Sequence, residues 1–181
     1  MAALDWKISV ADIADAGLNV DRTATDTERA ALLGDLEIVR VDRVVLTGRV
    51  KAIGRGGYHL EGAVKAEVAQ ACVVTLDPVP EKLDIALSVD FLPEAAVPSP
   101  IPEGDHDEAA ASDHMIEPIQ NGRLDIGEVV YQEIAAALDP YPRAADAALE
   151  TSEAGPKDDG DTHPFAKLRQ LARGKPDEPK A

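Results

Sequence analysis

Cysteine and aromatic residues are nearly absent from this chain: it has one cysteine, Cys72, and only 3% Phe, Trp and Tyr in 181 residues. One cysteine excludes an internal disulfide and any metal site built from several thiolates of the same chain. Within the three long predicted strands the only aromatics are Tyr58 and Phe91, so base stacking of the RRM or OB kind is poorly equipped. The opening, Met-Ala-Ala-Leu-Asp-Trp-Lys-Ile-Ser-Val, has no basic start followed by an apolar run. Neither a signal peptide nor a transmembrane span is expected, and the expected location is the cytoplasm. There is no phosphate-cradling glycine motif and no Ser-His-Asp set. Positive charge is also scarce: 18 basic against 34 acidic residues give a net charge of −16. That balance opposes non-specific binding to nucleic acid or anionic membrane and favours a basic partner, if charge selects one.

What is present is alternation. From Tyr58 to Thr75 one face carries Tyr58, Leu60, Gly62, Val64, Ala66, Val68, Gln70, Cys72 and Val74, and the other is mixed and charged in its first half. A period of two predicts a strand with one side on a core. Gly62 is expected to mark a bend or bulge. Residues 36–53 alternate as well, with Val44, Leu46, Gly48, Val50 and Ala52 on one face. Gly54-Arg55-Gly56-Gly57 then makes a hairpin turn. A third strand follows the Asp77-Pro78 turn, with Leu83, Ile85, Leu87, Val89 and Phe91 on one side and Pro93 at its end. A short strand is expected over 4–10, with a loop after it through Gly17.

Two helices are expected. The shorter lies near 26–34, capped by Thr25 or Asp26, with Gly34 as its stop. The longer runs from Asp125 to about Leu138. Its Asp125 and Glu128 have capping-box spacing, and Ile126, Val129, Val130, Ile134, Ala137 and Leu138 form one apolar side. Asp139-Pro140-Tyr141-Pro142 stops it. Residues 94–117 hold seven acidic residues, no Lys or Arg, and Pro98, Pro100 and Pro102, and read as a mobile acidic loop. Residues 144–161 are acidic again, and 163–175 turn basic.

The predicted fold is α+β: a mainly antiparallel, twisted sheet or partly closed barrel, covered by one long and one short helix, with a disordered acidic loop and tail. The predicted organisation is a single domain over 1–143 and a mostly disordered tail over 144–181. Within the tail, a short basic helix near 164–173 opens at Pro164 and places Phe165, Leu168 and Leu171 on one side.

Candidate chemistry is sparse. Cys72 falls on the apolar face and reads as a buried, inert thiol. His106 and His114 lie among Asp105, Asp107, Glu108 and Asp113. A metal-dependent hydrolase could use such a loop, but the spacing matches no known ligand geometry, so the loop reads as solvated. Residues 37–76 hold six basic and four acidic residues, against the trend of the chain. Arg43, Arg49 and Lys51 share one strand face and Arg55 sits at the turn, a patch able to touch phosphate or to be an ordinary solvated surface. In the tail, Lys167, Arg169 and Arg173 lie on a segment that can fold on an acidic or RNA partner or stay free. No cofactor and no metal are expected.

Three stretches together resemble a known family. They are Gln70-Ala71-Cys72-Val73-Val74-Thr75-Leu76-Asp77-Pro78-Val79, the strand end Val89-Asp90-Phe91-Leu92-Pro93, and Asp125-Ile126-Gly127-Glu128 leading to Leu138-Asp139-Pro140-Tyr141-Pro142-Arg143. In this order, and with His163-Pro164-Phe165-Ala166-Lys167-Leu168 in the tail, the sequence is similar to the YceD family, the large-subunit ribosomal RNA accumulation proteins of bacteria and plastids. The resemblance implies a non-enzymatic role in synthesis, processing or stability of large-subunit (23S) rRNA. It implies two partners, together or singly: the rRNA or its precursor, and a small basic large-subunit ribosomal protein whose gene often neighbours the family's. Many members carry Cys-x-x-Cys where this chain has Cys72 to Thr75, with further cysteines after the helix. A zinc site plausible in those members is lost here.

Overall fold

The computed structural model describes residues 3–97 and 115–147. Three long strands dominate it: β3 (Arg40–Ile53), β4 (Gly57–Ala71) and β5 (Pro78–Pro93). They form the centre of a five-stranded sheet in the order β2-β3-β4-β5-β6, where β2 is Leu18–Thr23 and β6 is Met115–Ile119. All neighbours are antiparallel except β5 and β6, which run parallel with Val89 beside Met115. Only residues 89–93 of β5 pair with β6. A second, two-stranded ladder joins β1 (Lys7–Ser9) to β7 (Arg123–Asp125).

The alternation read from the sequence is the alternation of burial. Val44, Leu46 and Val50 of β3, Leu60, Val64, Ala66 and Val68 of β4, and Leu83, Leu87, Val89 and Phe91 of β5 are all buried on one face. Each of the valine, leucine and phenylalanine side chains contributes roughly 1.5–3 kcal/mol on leaving water, which is why the register is held so firmly. The turn between β3 and β4 needs left-handed backbone. Gly54, Arg55 and Gly56 take φ values of 26°, 56° and 75°.

Gly62 is not the bulge expected of it. Pairing runs unbroken through Gly62, directly opposite Gly48, and the register shift falls instead between Val41 and Arg43. The glycine is needed because the two strands approach closely there. A Cβ on Gly62 would lie 2.5 Å from the Thr47 carbonyl oxygen and 2.8 Å from the Gly48 Cα.

The helices cover the apolar face. In α1 (Asp26–Asp35) Thr25 closes a full capping box, its hydroxyl accepting from the Glu28 amide while Glu28 accepts from the Thr25 amide at 2.8 Å. It buries Leu32 alone and runs one residue past Gly34. In α2 (Ile126–Ala137) Asp125 accepts from the Glu128 amide at 3.2 Å. This helix buries Ile126, Gly127, Val129, Val130 and Ile134. Its first turn sits on the N-terminal segment: the Trp6 carbonyl accepts from the Ile126 amide at 3.1 Å, and Leu4, Trp6, Ile8 and Leu124 are buried around it.

The fold is α+β with an open, mostly antiparallel sheet. Among the described residues β2 and β6 form its two edges with no ladder between them, so the barrel alternative does not hold. One strand lies where no element was assigned and another partly where a loop was expected. β2 follows the segment read as a loop through Gly17, and β6 takes Met115, Ile116 and Glu117 out of the expected 94–117 loop. A 3-10 turn holds Glu94–Ala96. Residues 98–114, with His106 and His114, and the tail from 148 onward lie outside the described residues. No described helix is long and apolar enough to cross a membrane.

Candidate functional site

Two surfaces are worth building up: the open face of the sheet, and the junction where β4 ends. On the open face, alternation along β3 places Arg43, Val45, Thr47, Arg49 and Lys51 opposite the buried row. Arg43, Arg49 and Lys51 therefore share one exposed face of β3. Register then decides its character. Arg43 stands beside Glu67, Arg49 beside Glu61, and Lys51 beside His59. One strand further, Glu67 stands beside Lys82, Lys65 beside Asp84, and His59 beside Asp90.

Positive and negative side chains thus alternate across the strands. A phosphate approaching Arg43 or Arg49 meets a carboxylate one strand away. The Arg49 guanidinium also donates to the Ala16 carbonyl, which anchors it against the loop before β2. Lys65 and Asp84 form an exposed pair at 3.6 Å, of the kind that contributes between zero and about 1 kcal/mol. His59 Nδ1 and Asp90 Oδ1 are hydrogen-bonded at 2.6 Å, both half-buried. Arg55 is exposed at the hairpin tip, near Lys51 in sequence. Lys167, Arg169 and Arg173 lie outside the described residues.

The second surface is singled out in the sequence only through the family resemblance, as the place of a zinc site lost here. β4 ends at Ala71, and Cys72 begins a tight turn that the Asp77 carbonyl closes by accepting from the Cys72 amide at 2.8 Å. Leu76 donates back to the Cys72 carbonyl at 2.9 Å and is held at φ 64°. The segment leaving α2 lies against this turn. The Pro142 carbonyl accepts from the Val73 amide at 2.9 Å, and the Asp139 carbonyl accepts from Gln70 Nε2 at 3.0 Å. The Gln70 Oε1 atom is buried without a partner among the described residues.

Cys72 itself is fully covered, as expected, but it is not in an inert setting. Its Sγ accepts from the amides of Val74 at 3.4 Å, Thr75 at 3.5 Å and Ala144 at 3.4 Å. The Thr75 hydroxyl is the strongest influence on the thiol, followed by these amides, and together they outweigh burial and bring it down to about 6 from 9.0. Donors aimed at a sulfur favour its anion. One thiolate with threonine at position 75 does not fit a tetrahedral zinc site, which needs four ligands. Among the described residues no group of three or more His, Cys, Asp or Glu side chains is placed to hold a metal ion.

Exposed apolar side chains concentrate on the same junction. Val73 is 50% exposed, Leu76 76% and Tyr141 74%. Only Leu33 and Val39 are the other large hydrophobics so exposed among the described residues. The sequence signals for this site were the turn residues Asp77-Pro78 and the Asp-Pro-Tyr-Pro stop after α2. The turn chemistry alone does not show that the two segments meet; the zinc site that the resemblance implies for other members is the signal that joins them.

The family model described as "Large ribosomal RNA subunit accumulation protein YceD" matches residues 60–172. That span holds β4 from Leu60 onward, the Cys72 turn, β5, β6, β7, α2 and the segment behind it. Searches of curated proteins and of solved structures returned no significant match. The match covers well over half of the chain and carries the role its description names, accumulation of large-subunit rRNA: the chain belongs to the YceD family.

Proposed function

We propose that this chain is a non-catalytic cytoplasmic factor in the synthesis, processing or stability of 23S rRNA, acting chiefly by holding a small basic large-subunit ribosomal protein before assembly. Family membership supports the ribosomal role. The observation that favours a protein partner over direct rRNA contact is the interleaving of the open face. Glu61 and Glu67 stand beside Arg49 and Arg43, so the strand that looked basic in isolation offers no continuous positive track for a phosphate backbone. The net charge of −16 acts in the same direction.

Direct rRNA contact keeps a narrower footing. Lys51 and Arg55 at the exposed hairpin tip, together with Lys167, Arg169 and Arg173, form the cationic set that would make it. The test is a pull-down of the tagged full chain from growing cells at low and high salt, with and without nuclease. A basic large-subunit ribosomal protein that survives nuclease supports the proposal. Precursor rRNA that comes down at low salt and is lost at high salt replaces it with the phosphate-contact mechanism, because counterion release makes such binding salt-sensitive. Recovery of neither removes both mechanisms.

A further inference from the structure

We infer that the junction between the Cys72 turn and the segment leaving α2 is the surface that grips the protein partner, taking an apolar side chain flanked by cationic ones. This rests on the protein-partner mechanism proposed above and assigns it a place.

Three observations carry it. First, Val73, Leu76 and Tyr141 are exposed together on two segments locked to one another by the Val73–Pro142 hydrogen bond. Single exposed hydrophobics are ordinary, but a concentration on one ordered junction marks an interaction site. Tyr141 is also a residue type that supplies large contact area with few bonds to freeze.

Second, the fold does not require Leu76 where it stands. Its left-handed backbone costs about 1–2 kcal/mol in a non-glycine residue, and with 76% exposure it recovers almost nothing from burial. Asparagine or glycine would take that conformation more readily.

Third, the rim is acidic. Asp77, Asp139 and Asp146 are exposed on these two segments against the single cation Arg143, and the sulfur beneath them favours its anion. An apolar centre with a charged rim is the usual anatomy of a protein interface, and this rim selects a basic protein and repels phosphate.

The test uses the full chain and total protein extracted from large ribosomal subunits, with purified 23S rRNA as a parallel probe. The double variant Leu76→Asn with Tyr141→Ser is compared with the tip variant Lys51→Ser with Arg55→Ser. Both junction residues are exposed, so the variant should melt like the parent; Leu76→Gly, which suits the positive φ, serves as a second variant. The expected result is that the parent retains a basic protein after nuclease, the junction variant loses it by ~10-fold or more in affinity, and the tip variant keeps it. Equal retention by the junction variant overturns this inference and leaves the protein-partner mechanism standing. Absence of any bound protein from the parent overturns both. Loss of 23S rRNA instead of protein from the junction variant overturns it in favour of base stacking on Tyr141.

Discussion

The open face of the sheet and the Cys72 junction use polar groups in opposite ways. On the open face each arginine of the patch on β3 stands beside a carboxylate: Glu67 for Arg43 and Glu61 for Arg49. At the junction, three backbone amides and a hydroxyl converge on one sulfur, and no cationic side chain is needed to favour its anion. The open face is what a solvated sheet looks like when charge is balanced locally. The junction is a rigid, organised corner that leaves apolar side chains outside it. The lesson is that a region rich in charged residues can be nearly neutral in its local field once strand register is known.

The largest effect tests what both regions share. Gly62→Val places a Cβ against the Thr47 carbonyl and the Gly48 Cα, with backbone rather than a flexible side chain in the way. A loss of roughly 3–5 kcal/mol is expected in urea unfolding, removing the open face and the junction together.

Next, Cys72→Leu keeps an apolar side chain but leaves the amides of Val74, Thr75 and Ala144 without their acceptor. It should destabilise the chain more than Cys72→Ser, which retains an acceptor, and more than any single substitution on the open face. Equal midpoints for the two variants would break the contrast.

The pH dependence separates the regions further. The thiol titrates near 6 when folded and near 9.0 when unfolded. Below about pH 6 both states hold the proton and the thiolate contributes nothing. Between about 6 and 9 only the folded state releases it, so stability rises with pH and reaches its full value above that window. The difference in urea midpoint between parent and Cys72→Ser should therefore widen from pH 6 to 9. Thiolate absorbance near 240 nm should appear with a midpoint near 6 in the parent alone.

On the open face, Glu61→Gln with Glu67→Gln removes the carboxylates beside Arg49 and Arg43. Stability should change by under about 1 kcal/mol. Affinity for an rRNA fragment should rise about tenfold at low salt and fall back as salt increases, in a filter-binding titration. The smallest effect belongs to Lys65→Ala, which breaks an exposed pair and should stay within about 0.5 kcal/mol by thermal melting.

How much of this was legible follows from what periodicity encodes. β3, β4 and β5 were readable because Val44, Leu46, Leu60, Val64, Leu87 and Phe91 recur every second residue and must all face one core. α2 was readable from Asp125, Glu128 and its apolar stripe. β2 was not, because Leu18-Asn-Val-Asp-Arg-Thr23 is an edge strand that buries only Val20. β6 carries Pro118 and follows an acidic run, both of which resemble a loop, yet it pairs parallel to β5 on the outside of the sheet.

The candidate site was harder for a different reason. Arg43, Arg49 and Lys51 were rightly grouped, but their neighbours come from register with another strand. The Cys72 environment is made of backbone amides, and one of them, Ala144, is 72 residues away. Sequence names side chains; it does not show which amides will converge on a sulfur.

The parallel pairing of β5 with β6 has one more consequence. Pro93 ends β5 beside Ile119, while Met115 begins β6 back beside Val89, so the connecting chain leaves one end of the ladder and must re-enter at the other. A hairpin cannot make that return; parallel neighbours require a connection of about a dozen residues or more. The acidic segment between them therefore has a minimum length written into the topology. Trimming it much below that floor would cost the sheet its outermost strand.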